Sequence, residues 1–164
     1  MTEDDTFTNA IRIKIQGWLE HEEGWSLLDT PPLPSSEVSW ALVSEDHGKR
    51  KFVFYQKAGH SDRVMIEANA VLSPDHIRKF AELPDSEQNL FLDELKIELL
   101  KMNVAYAGAK LPLQGVQVNT STYFEGAFDN ALAKDTFYQR VNAVRNGLVM
   151  VIVMLTRRLD HSPA

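Results

Sequence analysis

The sequence predicts an α+β fold: a five-stranded, mainly antiparallel sheet flanked by helices, in the order helix, three strands, two linked helices, two strands, helix. Three observations carry this. Near both ends of the chain apolar residues recur at three- and four-residue steps, as they do along one face of a helix. Between them, segments alternate with the period of two that a half-buried strand requires. A length of 164 residues suits a single core, since domains commonly run to about 100–150 residues. One domain is expected over 6–159, with 1–5 and 160–164 as flexible tails.

The first helix is expected over 6–23, where Phe7, Ile11, Ile15, Trp18 and Leu19 form one apolar face. Thr6 or Thr8 supplies a capping hydroxyl. Gly24 ends the helix, because glycine takes the left-handed conformation of a C-terminal cap at little cost. Trp25, Leu27 and Leu28 then dock the exit segment. The run Thr30-Pro31-Pro32-Leu33-Pro34-Ser35-Ser36 reads as a stiff crossover, since each proline removes a donor and fixes its own φ.

Val38 to Ser44 sets Val38, Trp40 and Leu42 against Ser39, Ala41 and Val43. After the polar turn at 45–50, Phe52 to Lys57 returns as an aromatic and β-branched strand. A second turn at 58–62 leads to Arg63–Leu72, with Val64, Ile66, Ala68 and Ala70 on one face. Ser73-Pro74-Asp75 starts a helix: a capping hydroxyl, proline at the first helical position, an acid in the first turn. Leu83-Pro84-Asp85-Ser86 interrupts it, and Asp85 or Ser86 restarts a longer helix to about Met102. Its stripe is Phe91, Leu95, Leu99 and Met102, flanked by Leu92 and Leu100. Val104–Ala107 and Gly115–Phe124 are two further strands, and a loop follows to Asn130. The last helix, over 134–159, carries Phe137, Val141, Val144, Leu148, Val151, Ile152, Leu155 and Leu159 on one face. That periodicity decides against reading the run 148–155 as a buried strand.

Composition excludes several classes. Apolar residues make up 44% and charged residues 24%, the usage of a globular chain and not of a disordered one. There is no cysteine, so disulfide scaffolds, thiol nucleophiles and cysteine-ligated metals are out. A formal net charge of -6 disfavours a generally basic nucleic-acid binder. The acidic start Met1-Thr2-Glu3-Asp4-Asp5 lacks the pattern of a secretory signal. The longest apolar run, the eight residues from Leu148 to Leu155, is far short of the roughly 20 needed to span a bilayer. A cytoplasmic protein without a membrane span is expected.

No candidate chemistry assembles from the sequence. His21-Glu22-Glu23 lacks the second histidine of a zinc-protease helix, because Trp25 stands there. His47 beside Asp46 and His60 beside Asp62 fall in turns at opposite ends of the middle strand. His76 lies next to Asp75 on the short helix. His60-Ser61-Asp62 has the residue types of a hydrolytic triad, but adjacent residues cannot adopt its geometry. Gly108, Gly115 and Gly126 are isolated, so no phosphate-binding loop is present. Lys49-Arg50-Lys51 and Arg140, Arg145, Arg157 and Arg158 are basic without forming one aromatic-lined face. No catalytic residue, metal or cofactor is expected.

The last helix carries the positive signal. From Leu148 onward the side opposite its apolar stripe is apolar too: Val149, Met150, Val153 and Met154. A helix apolar all round needs cover all round, and methionine suits an adaptable contact surface. Either the first helix and the proline-rich crossover cover this second side or another protein chain does, and these four residues are the expected protein interface.

The element order over about 6–159 resembles the type III secretion chaperone-like fold. The Gly17-Trp18-Leu19 and Gly24-Trp25 opening, the Asp62-Arg63 entry to the third strand and the closing apolar helix are similar to an uncharacterised, mainly archaeal family of small domains. The short helix at 74–82 elaborates on the minimal order. The resemblance implies a homodimer that binds an extended segment of a client protein, and it carries over no catalytic residue. The expected function is therefore a non-enzymatic, chaperone-like or protein-binding module. The alternative is a small-ligand-binding or metal-dependent enzyme, which requires two or more of Glu22, Asp46, His47, His60, Asp62 and His76 to converge in a pocket.

Overall fold

The computed structural model describes residues 3–29, 36–124 and 131–160. The proline-rich crossover at 30–35 and the loop at 125–130 lie outside the described residues. The elements are α1 (Glu3–His21), β1 (Trp25–Leu28), β2 (Val38–Asp46), β3 (Lys51–Lys57), β4 (Arg63–Val71), α2 (Pro74–Ala81), α3 (Asp85–Lys101), β5 (Ala105–Ala107), β6 (Gly115–Tyr123) and α4 (Ala131–Asp160). The sheet has six strands in the order β1-β2-β3-β4-β6-β5, one more than the five expected. The addition is β1, which pairs antiparallel with β2 from Trp25 opposite Asp46 to Leu28 opposite Val43. Four residues show too little alternation to announce a strand. The pairing to β2 makes them a strand, and pairing is invisible to a local reading.

The limits of α1, Glu3–His21, differ from the expected 6–23. α1 begins at Glu3, so Thr6 and Thr8 are interior residues and not caps. Gly24 lies just past its end at φ 86, the left-handed turn that delivers the chain into β1.

Packing divides the chain into two units, one built from Met1–Glu67 with Thr120–Val141 and one from Ala68–Asn119 with Asn142–Ala164. In the first, α1 lies against β1 and β2. Ile11, Ile15, Trp18 and Leu19 are buried, as are Trp40, Leu42, Phe52, Phe54, Val64 and Ile66 on alternate strand positions. Phe137 closes this core, its ring 5.4 Å from Trp18 and 5.5 Å from Phe54. Gln56 is fully buried opposite Trp40. Its Oε1 accepts from Trp40 Nε1 at 2.9 Å and its Nε2 donates to the His60 carbonyl at 3.0 Å, so a buried amide costs little here. Asp46 is a second buried polar residue. Its carboxylate accepts from the backbone of Gly48 (2.9 Å) and Arg50 (3.0 Å) and so sets the β2–β3 turn.

In the second unit, Ser73 caps α2, its Oγ accepting from the His76 amide at 3.2 Å, with Pro74 at the first position as expected. Buried Gln88 of α3 donates to the Ala81 and Leu83 carbonyls at 3.2 and 2.7 Å. It satisfies carbonyls left open where α2 ends. α3 buries Phe91, Leu92, Leu95 and Leu99, and α4 buries Val144, Leu148, Val151, Leu155 and Leu159. Leu100 points outward, as its flanking place on the stripe allows. Ile152, expected on the buried stripe of α4, is 42% exposed. It sits about 40° round the wheel from Leu148, at the rim of the stripe.

Candidate functional site

α3 and α4 build the candidate site. They run antiparallel within their unit. Glu87 at the start of α3 pairs with Arg158 near the end of α4, while Gly147 meets Leu99. A Cβ on Gly147 would come within 2.9 Å of Val118 Cγ1, 3.4 Å of Val104 and 3.5 Å of Leu99. Glycine is thus what lets α4 sit close against β6 and α3.

With the buried stripes turned inward, both helices present apolar residues outward. On α4, Val153 is 41% exposed and Val149, Met150 and Met154 are half-buried. On α3, Leu90 is 59%, Ile97 52% and Leu100 64% exposed. Leu90 and Ile97 were missed in the sequence. Their signal was a second apolar row seven residues apart on the side opposite Phe91, Leu95 and Leu99. The two helices differ in charge. α3 carries Asp85, Glu87, Asp93, Glu94 and Glu98 against two lysines. The corresponding half of α4 carries Arg145, Arg157 and Arg158 against Asp160.

Of the six residues whose convergence would signal a catalytic or metal site, Glu22, Asp46 and His76 have partners outside that set. Glu22 pairs with Lys134 at 3.0 Å. Asp46 is committed to its turn. His47, His60 and Asp62 are exposed in turns, and the backbone carbonyls of His60 and Asp62 accept bonds from Gln56 and Phe124. Among the described residues no group of three or more histidines and acids is placed to hold a metal ion.

His76, like Glu22, has a distant partner: its Nε2 lies 2.8 Å from Asp160 Oδ1. Lys79 stands 3.6 Å from the same oxygen and 2.9 Å from Asp75 Oδ2. The His76 hydrogen bond, aided by Lys79, holds the Asp160 carboxyl below its ordinary pKa. Beside this pair lies an open cavity of about 400 Å³. Its walls include Val71, Leu72, Ile152 and Leu155, with Asn69, Ser73 and Thr156 as polar contacts. Imidazole and hydroxyl there could bond to a small ligand, but Ser73 and His76 are already engaged in capping α2 and holding Asp160.

On the outward side of the strands, Tyr55 donates from its hydroxyl to Glu67. Burial, then that carboxylate, raises the phenol above its ordinary pKa. The Arg63 guanidinium lies 4.8 Å from the centroid of the exposed Tyr123 ring, a cation–π contact.

No helix of the described residues is long and apolar enough to cross a membrane. No curated protein matches the chain. A crystal structure of an uncharacterized protein from Methanothermobacter thermautotrophicus superposes with a TM-score of 0.77 at 19% identity. The match covers 90% of this chain and 98% of that one, and it shows a shared fold. The expected likeness to an archaeal protein of unassigned activity is met there. The profile of a family described as uncharacterized conserved protein (DUF2299) matches residues 11–155, and the chain belongs to that family.

Proposed function

We propose that this protein is a non-enzymatic protein-binding module that works as a homodimer, with the chaperone-like arrangement that its element order resembles. The observation that carries the reading is the outer side of α4 after Gly147. Val149, Met150 and Val153 stand there with Ile152 beside them, where a solvated helix face would carry charge. Contiguous apolar patches of this kind mark interaction sites on soluble proteins. The chemistry that an enzyme would need is dispersed over turns and capping roles.

Light scattering behind size exclusion, over a dilution series, tests the reading on the natural chain and on Met150→Glu/Met154→Glu. A dimer that the double variant splits into folded monomers is the expected result. A natural chain that elutes as a monomer at every concentration overturns it.

A further inference from the structure

We infer that the surface formed by α3 and α4 docks on the same surface of a second copy of this chain, with α3 of each protomer lying along α4 of its partner. The inference rests on the proposed homodimer and goes on to name its surface, its orientation and its charge code.

Two antiparallel helices lying side by side form a nearly flat layer. Two such layers can stack about a two-fold axis in only two simple ways. An axis across the helices places α3 on the partner's α3 and α4 on the partner's α4. An axis along them places α3 on the partner's α4. The charges choose between these. α3 carries five carboxylates against two lysines, so the first arrangement opposes acid to acid. The second opposes the acidic α3 to the arginine-bearing end of α4, and like charges juxtaposed across an interface are what specific interfaces avoid.

An axis along the helices also preserves height. Within one chain, Glu87 is level with Arg158 and Leu99 with Gly147. Across the axis, Ile97 therefore comes level with Val149, so that the exposed apolar row of α3 covers the apolar side of α4. Asp93 comes within about 7 Å along the axis of Arg157, at 1.5 Å per residue, a gap an arginine side chain bridges. Both residues are exposed, and among the described residues neither has an ion-pair partner in its own chain.

Size is consistent with this partner. A 17-residue helix is roughly 25 Å long, and two helices side by side are about 20 Å wide. The footprint is on the order of 500 Å² per protomer, near the roughly 1,000 Å² total at which specific interfaces begin. The dimer should therefore dissociate on dilution.

The test measures the dimer dissociation constant by sedimentation at low salt for the natural chain, Arg157→Glu, Asp93→Arg, the two combined, and Ile97→Glu. Circular dichroism on each confirms that these exposed substitutions leave the fold intact. The expected result is a roughly tenfold weaker dimer for each single charge reversal, recovery to within about threefold in the combined variant, and loss of the dimer with Ile97→Glu. A dimer that ignores Ile97→Glu and the charge reversals overturns this inference and leaves the proposed homodimer standing. So does one that the combined variant fails to restore. A monomeric natural chain overturns both.

Discussion

Buried polar side chains show how closely individual residues are committed to the fold. Gln56 and Gln88 are both buried, and each spends its amide on named partners. Thr122 is different. It is 2% exposed, and its hydroxyl has no hydrogen-bond partner among the described residues. A buried donor without a partner costs about 1–3 kcal/mol, and valine has nearly the same shape. Thr122→Val is expected to raise stability by about 1 kcal/mol, measured by urea denaturation with an unchanged slope. A less stable variant would mean that the hydroxyl is satisfied by an ordered water. Alternation along the strand places residue 122 on a core face, but nothing in a sequence reveals whether a given hydroxyl finds a partner there. The same limit hid the His76–Asp160 bond: the two lie 84 positions apart, and only the fold brings them together.

At the scale of elements, most of what was legible came from long periodic segments. α4 and α3 declared themselves through repeated three- and four-residue spacing, and Ser73-Pro74 through capping chemistry. β1 did not, because four residues carry no usable period and their order comes from Asp46 to Val43 on the neighbouring strand. The outward row of Leu90 and Ile97 was masked by the stronger buried stripe on the same helix.

Gly147 is the residue on which the α4 contact with its neighbours turns. In an exposed helix, Gly→Ala would gain about 1 kcal/mol from backbone propensity. Here the added methyl meets the branched Val118 side chain at 2.9 Å, and overpacking typically costs about 1–3 kcal/mol. Gly147→Ala is therefore expected to lower the thermal midpoint, whereas Asn146→Ala, one position away on the exposed side, should raise it slightly. Calorimetry on the two variants checks the contrast. A stabilised Gly147→Ala would show that α4 can lift away from β6 without penalty.

For the molecule as a whole, the two packing units differ in the groups that can report on them. All three tryptophans, Trp18, Trp25 and Trp40, belong to the unit containing α1 and β1–β3. So do the two tyrosines with raised pKa values, Tyr55 and Tyr138. Burial is the main cause in each, with Glu67 adding to it at Tyr55 and Glu22 at Tyr138. The Tyr138 hydroxyl also donates to the Trp18 carbonyl at 3.1 Å. In the unfolded chain these phenols ionise near pH 10, whereas the folded chain holds its protons to higher pH. The folded state thus binds more protons above pH 10, and stability must fall as pH rises from there. Their contribution is fully present below pH 10 and is lost progressively above it. Tryptophan fluorescence reads this unit alone, and helical circular dichroism draws also on α2, α3 and most of α4. Raising the pH from 9 to 12 is expected to change the fluorescence before the helical signal falls. Tyr55→Phe/Tyr138→Phe should move the fluorescence change to higher pH, although it lowers stability at neutral pH by removing two hydrogen bonds. Coincident loss of both signals would instead show that the two units unfold as one cooperative structure.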